Sequence, residues 1–355
     1  MHMADALLSP VVGGAMCAVS AGTIAYCSGK VRKELDDSKI PLMGVLGAFI
    51  FATQMINFTI PVTGSSGHLG GGLILAILLG PYAAFLTIAS VLVVQALFFA
   101  DGGLLALGCN IFNLGYFPAF IAYPFIYKKL IGRAPSTAKI SVASIVAAIV
   151  GLQLGAFGAV LETTSSGISS LPFATFVAMM QPIHLAIGIV EGLVTAAVVS
   201  FVYKARPEIM QSALEARPIG SHPVRNIALA FLTVAVVTGG IVSWFASKDP
   251  DGLEWAISKV TGQVELKQGP HATLNALQEK IAFLPGYSFK KPAGAKREAL
   301  QPEAVQPHQA VQSEHKPEVT KNPVGTSIAG LVGGTITLGL ALLIGYILKL
   351  RNQTA

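Results

Sequence analysis

Charge is what this sequence has least of. Of 355 residues, 12% are Asp, Glu, Lys or Arg, about half of the roughly 25% usual in soluble domains. A chain so poor in solvating side chains is neither an ordinary water-soluble globule nor a disordered polymer. Cysteine is almost missing. Three residues make no disulfide scaffold, and Cys17 and Cys27 stand ten apart on one expected helix, about 15 Å of rise, too far to pair. Cys109 has no CxxC partner, so the cysteines read as small core residues. No GxxxxGK[ST] segment occurs, so nothing here cradles the phosphates of ATP. No Lys or Arg precedes Lys30. The net charge of +6 and pI near 9.2 therefore report membrane topology rather than a nucleic-acid partner.

What is present is apolar: 53% hydrophobic residues and 37 glycines, with a mean hydropathy of +0.64. Crossing ~30 Å of hydrocarbon takes about 20 apolar residues as a helix. Long apolar runs, uncharged but for Glu191, fall at Val11–Ser28, Ile40–Ile60, Tyr82–Ala100, Ile111–Tyr127, Ile140–Leu161, Phe176–Tyr203, Ile227–Ala246 and Ser327–Leu348. Gly70–Gly80, ended by Pro81, is too short to span unaided, so protein must cover its ends.

Basic residues set the orientation. Lys30, Arg32, Lys33 and Lys39 form one cluster, and Lys128, Lys129, Arg133 and Lys139 another. Lys204, Arg206, Arg217 and Arg225 form a third, and Lys349 and Arg351 follow the last run. The positive-inside rule puts all four in the cytoplasm. The N-terminus and the loop Pro61–Leu69 then lie outside. Parity requires the short segment to count as a crossing. The expectation is an all-α, multi-pass protein of the cell inner membrane with its N-terminus outside and C-terminus cytoplasmic. It has a seven-helix bundle, one helix short, plus two further transmembrane helices flanking an extracytoplasmic segment. Met1–Pro10 has no basic start, so a retained first span is expected rather than a cleaved signal.

Composition divides the chain. Residues 1–204 read as a glycine-rich membrane body. Residues 205–226, with Pro207, Pro218 and Pro223, read as a cytoplasmic linker. Residues 227–355 form a second unit: a span at 227–246, an outside segment at 247–323 and a span at 327–348. Within it 301–323, rich in Pro, Gln, Glu and His, reads as a flexible tether. Small residues four apart (Gly151/Gly155, Gly188/Gly192, Gly330/Gly334) suit close helix packing in lipid.

Few residues offer chemistry. A Met1 amine left untrimmed and deformylated, the His2 amide nitrogen and His2 Nδ1 close a five- and a six-membered chelate ring around one ion. Amide nitrogen binds only a metal late in the Irving–Williams series, and a fourth nitrogen completes the square plane typical of Ni(II) or Cu(II). His68, in Thr63-Gly64-Ser65-Ser66-Gly67-His68-Leu69-Gly70-Gly71-Gly72, stands on the same side as His2, in a loop whose glycines allow tight folding over a site. Asp101 and Glu162 stand at outer span ends, and His184 and Glu191 lie within one span. Ionisable groups in lipid default to functional hypotheses. His184 and Glu191, seven apart, share one helix face and suit a gate, support behind the ligands or an interhelical hydrogen bond. Asn110 and Asn113 are neutral donors and acceptors near the outer surface, fitted also to helix capping.

Together these segments resemble the CbiM/NikM family, the substrate-binding (S) components of energy-coupling-factor transporters for cobalt and nickel. The likeness rests on Met1-His2-Met3, Gly67-His68, Leu107–Gly115 and His184–Gly192, and spans about Met1–Tyr203. It implies that Met1, His2 and His68 hold the transported Ni2+ or Co2+, with no permanent cofactor. Ser66, Asp101, Asn110, Asn113, His184 and Glu191 are candidates for supporting or gating roles. Where family members usually continue with a Pro/Glu-Gly-type segment, this chain has Met3-Ala4-Asp5-Ala6. The second unit resembles the small CbiN/NikN partner and its PDGLE motif. Pro250-Asp251-Gly252-Leu253-Glu254 is followed by Trp255 and later by Phe283-Leu284-Pro285-Gly286-Tyr287. Pro250-Asp251-Gly252 is a turn into a short helix from Leu253, placed to press on the metal mouth. The resemblance implies a fusion of both components in the lipid bilayer. It works with a transmembrane coupling (T) protein and two cytoplasmic ATPase subunits, and with no nucleic acid.

An enzyme is the competing class. Gly64-Ser65-Ser66-Gly67 fits the GxSG of an intramembrane serine protease of rhomboid type, with Ser66 as nucleophile and His184 as base. Ser66 falls in a loop rather than at the start of a helix within the membrane, and no HxxN segment supplies an oxyanion donor.

Overall fold

The structure is a computed structural model that describes residues 2–32, 35, 37–132, 134–168, 171–220, 223–261, 272–290 and 323–353. It is all-α apart from one small hairpin. Helix α1 (Pro10–Val31) starts on a proline with Ser9 Oγ accepting the Val12 N–H at 3.3 Å, a regular N-cap. α2 (Lys39–Gln54) is buried along its length. The apolar run continues to Ile60 in the sequence, but the helix stops at Gln54. Phe58–Ile60 (β1) instead pairs antiparallel with Ser65–Gly67 (β2), Thr59 opposite Ser66.

The short apolar segment is α3 (Gly72–Leu79), buried at all eight positions, followed by α4 (Pro81–Phe99). A continuous helix then runs over 107–131. It comprises α5 (Leu107–Ile111), a wider π-helical stretch (Phe112–Tyr127) and α6 (Lys128–Ile131). Pro118 and Pro124 lie inside that stretch and cannot donate to the α-helical ladder. α7 (Thr137–Ser166) and α8 (Phe173–Ala205) pack antiparallel. A Cβ on Gly188 would lie 2.9 Å from the Ile149 backbone, and one on Gly192 would lie 2.5 Å from that of Ile145. These glycines set the approach of the two helices.

Part of the expected linker is helical. α9 (Pro207–Glu215) buries Ile209, Met210 and Ala213, and Tyr123 of the π stretch donates to the Ala213 carbonyl at 2.9 Å. α10 (Arg225–Gly240) ends short of the expected Ala246, and Val242–Phe245 is a 3-10 turn. Two short helices, α11 (Gly252–Thr261) and α12 (Ala272–Ile281), precede α13 (Pro323–Gln353). The expected tether lies outside the described residues up to 322, and Pro323 opens α13. α10 and α13 cross where a Cβ on Gly330 would meet the Gly239 carbonyl at 2.4 Å. Both pack on α2, where Gly44 and Gly47 make room for Leu342 and Thr337.

Five of these helices are long and apolar enough to cross a membrane: α1, α4, α7, α8 and α13. α2 and α10 are shorter apolar helices. The protein is a multi-pass membrane protein.

Candidate metal site

The N-terminal segment, with a 3-10 turn at Asp5–Leu7, is threaded into the bundle by Asn110 and by its own Asp5. Asn110, on α5, clamps the backbone of fully buried Met3: its Oδ1 accepts the Met3 N–H at 2.8 Å and its Nδ2 donates to the Met3 carbonyl at 3.2 Å. The Gly103 N–H adds a third bond to that carbonyl, at 2.9 Å. Asp5 Oδ1 accepts the N–H groups of Leu105 and Ala106 at 2.8 and 3.0 Å, satisfying backbone just ahead of α5 that would otherwise be orphaned. Asn113 donates to Glu162 Oε2 at 2.7 Å and lies 3.9 Å from the Met3 sulfur. Neither asparagine caps a helix. Asn110 holds the N-terminal segment, and Asn113 pairs with Glu162 beside it.

This threading brings His2 onto His68. Their rings stack at 4.9 Å between centroids, 11° from parallel. His68 Nδ1 lies 3.0 Å from the Leu69 carbonyl; as the donor there, it leaves Nε2 as the lone-pair nitrogen. His2 Nδ1 faces Asp101 Oδ1 at 3.3 Å, and His2 Nε2 is buried with no hydrogen-bond partner among the described residues. Burial holds both imidazoles below their ordinary value, Asp101 partly offsetting this for His2. Neutral imidazole is the ligating form. Met1 lies outside the described residues.

Beneath His68 the loop is clamped by a buried carboxylate. Glu191, on α8, accepts the N–H groups of Gly70 and Gly71 at 2.8 and 3.1 Å, the donors a short helix exposes at its start. Gln54 donates to the Gly70 carbonyl at 2.8 Å and is itself held by Gln95 at 2.9 Å. Gly71 has φ +77°, and a Cβ on Gly67 would lie 2.4 Å from Ile187. The glycines around the histidine thus serve a left-handed turn and a contact with α8. His184 faces inward with Glu191, as the spacing of seven predicts. Its Nδ1 is 2.8 Å from the Met180 carbonyl, and its Nε2 is buried without a hydrogen-bond partner among the described residues. Ser66 makes no pair with His184. Its Oγ donates to the Asp249 carbonyl at 2.8 Å, so the protease constellation is not assembled.

The second unit roofs this loop. The Ser66 N–H donates to the Pro250 carbonyl at 2.8 Å, and the Ser247 N–H to that of Asn57 at 2.7 Å. Trp255 Nε1 donates to the Thr63 carbonyl at 2.9 Å. The motif has a plain physical content. Asp251 Oδ1 accepts the N–H groups of Leu253 and Glu254 at 2.9 and 2.8 Å, and Glu254 Oε2 accepts the Asp251 N–H at 3.3 Å. That is a reciprocal capping box opening α11. Pro250 presents its carbonyl to Ser66, and a Cβ on Gly252 would lie 2.5 Å from Ile183. Leu253 is buried. Farther on, Tyr287 donates to Asp101 Oδ2 and stacks on Phe99 at 5.1 Å. Gln278 donates to the carbonyls of Ala96 and Gly102 at 2.9 and 2.7 Å.

With this geometry in view, the comparisons with known proteins are decisive. The family described as "cobalt uptake substrate-specific transmembrane region" (CbiM) matches residues 2–209. The chain belongs to that family. The PDGLE domain family matches residues 225–350. The chain is similar over 357 aligned residues, at 30% identity and with both chains fully covered, to the putative fused nickel transport protein NikMN of Archaeoglobus fulgidus. It is 32% identical over 248 residues to the fused nickel transport protein NikMN of Rhodobacter capsulatus, covering 64% of this chain and 68% of that one. Among solved structures, a crystal structure of a truncated transition metal transporter matches with a TM-score of 0.52 at 30% identity. It covers 58% of this CbiM-family chain and 99% of the other.

Sequence reasoning gave no role to Asp5, Gln54, Gln95 and Gln278, and it placed Trp255 and Tyr287 in the second unit's resemblance without a contact for either. Of the first four only Asp5 carried a signal, as an acid in an otherwise uncharged N-terminal stretch.

Proposed function

We propose that this chain captures Ni2+ or Co2+ outside the cell and passes it inward as the substrate-specific component of an ATP-driven energy-coupling-factor importer. The observation that carries the reading is the buried stacking of His2 on His68 beneath the Pro250–Glu254 turn. The ligand set is the Met1 amine, the His2 amide nitrogen, His2 Nδ1 and a nitrogen of His68. To enter it, His2 Nδ1 leaves Asp101, which a half-turn of the ring allows. The site is in the inner membrane, with the N-terminus outside and the C-terminus cytoplasmic. Hydrolysis belongs to partners: a transmembrane coupling protein and two cytoplasmic ATPase subunits, with the basic stretch 204–225 as a docking surface. Residues 1–204 form the metal-binding body and 227–355 the roofing unit.

Titration of the purified chain with NiCl2 and CoCl2, read by calorimetry and metal content, tests this. The chain is expected to bind one ion, His2→Ala and His68→Ala are each expected to lose at least a hundredfold in affinity, and His184→Ala is expected to keep binding. Unchanged binding by His68→Ala overturns the ligand set.

A further inference from the structure

A cavity of about 380 Å³ opens beside His2, and its wall belongs to both units. The N-terminal segment supplies His2 and Asp5, and the loop after α4 supplies Asp101. Asp251 and Glu254 come from the capping box, and Asn275 from α12. Four of these are carboxylates, and no lysine or arginine lines the cavity among the described residues. A cleft whose described side chains carry an excess of negative charge between low-dielectric walls concentrates cations. Two atoms point to a cation passing here. Asp5 is 2% exposed, and while Oδ1 caps backbone, Oδ2 is buried without a hydrogen-bond partner among the described residues. His2 Nε2 is likewise unpartnered in a side chain 7% exposed. A buried acceptor left unpaired in a stable fold is costly, and a hydrated divalent cation is the ligand that would offset the cost at both.

We propose that this inter-unit vestibule is the route by which a hydrated divalent transition-metal cation enters the His2–His68 site, with Glu254 and Asp5 supplying the attraction. It rests on the metal-capture reading above and adds the path. Among the described residues no three His, Cys, Asp or Glu groups converge as a ligand set, so the vestibule concentrates the ion and passes it on. The route also gives the second unit a kinetic task. Glu254 raises the rate of loading without touching the bound ion, and the neutral Asn275 marks a place in the wall where an introduced charge reads the field.

The test is stopped-flow loading of the full-length chain with Ni2+ released from a chromophoric chelator, at low and high ionic strength. Glu254→Gln keeps the capping geometry and removes one charge, and its association rate is expected to fall about threefold at low salt. Asn275→Lys is expected to fall about tenfold and Asn275→Asp to rise, a reversal of sign that a merely damaged fold does not produce. These differences are expected to shrink at high salt, where the Debye length drops to about 3 Å at 1 M. Equilibrium affinity is expected to change less than the rate. Association rates within a factor of about 1.5 for all three variants, with affinity intact, overturn the vestibule. Absence of nickel binding by the unsubstituted chain overturns the metal-capture reading itself.

Discussion

At the scale of single residues, the proposed site rests on side chains outside its ligand set. Glu191 is the clearest case, because one carboxylate takes two backbone N–H groups just below His68. Glu191→Ala leaves both donors buried and unpaired, at a cost on the order of 2 kcal/mol. The expected outcome is a tenfold or greater loss of nickel affinity with His2 and His68 untouched, measured by calorimetry. Glu191→Gln, which keeps one acceptor oxygen, should fall between the two, and equal affinity in all three chains would dissociate the clamp from the site. His2 and His68 stood out in the sequence as imidazoles beside an N-terminus and in a glycine loop on the same side, and the structure stacks their rings at 4.9 Å. Glu191 was legible only as an anomaly in an apolar span. Its partners are the backbones of Gly70 and Gly71, 121 and 120 residues away, and backbone acceptance leaves no mark in side-chain identity. The same holds for Asn110 and Met3. An amide that holds a distant main chain looks in sequence like a helix cap.

At the scale of elements, hydropathy located the helices better than their ends. The run to Ile60 is uniformly apolar, yet α2 stops at Gln54 because Ile60 and Phe58 are spent on a hairpin packed against Ile183 and Ile187. Period and polarity do not separate a buried strand from a buried helix. The short α3 was legible as an apolar stretch whose ends protein must cover, and Glu191 covers its start through the Gly70 and Gly71 N–H groups. The PDGLE motif was legible as a turn into a helix, whereas its capping box and the fit of Gly252 on Ile183 are tertiary facts. Gly252→Val places side-chain atoms into Ile183, 2.5 Å from where the Cβ would stand. It is expected to lift α11 from the loop. Limited proteolysis should then cut between 247 and 261 at least several times faster, while nickel affinity falls less than tenfold. Unchanged protection of that segment would show that Gly252 does not set the docking.

At the scale of the whole molecule, the second unit grips the first at both ends of the bundle. Near the site, Ser66, Thr63 and Asp101 are bonded from above. At the far end, Lys349 of α13 pairs with Asp37, and Arg32 donates to the Arg351 carbonyl at 3.0 Å. Between them α10 and α13 lie on α2, whose C-terminal end leads to the His68 hairpin. Asp251 and Glu254 are occupied in capping α11, so they are poorly placed to ligate. Deleting 248–321 with both flanking helices kept is therefore expected to cut cellular nickel uptake at least tenfold. Equilibrium binding should stay within tenfold of the full chain. A hundredfold loss of binding in a folded deletion variant would make the motif a source of ligands.

The central claim is that the chain's own N-terminus is part of the metal site, and the N-terminal amine tests it most directly. Mass spectrometry first establishes that Met1 is retained and unblocked in the purified protein. Nickel affinity is then measured by calorimetry for this protein and for one carrying a single alanine added before Met1. The added residue moves the amine out of the five-membered ring with the His2 amide while leaving His2, His68 and the threaded segment Met3–Leu8 in sequence. The account predicts a loss of at least a thousandfold with the thermal unfolding midpoint of the metal-free protein unchanged. Affinity within threefold of the unextended chain would contradict it.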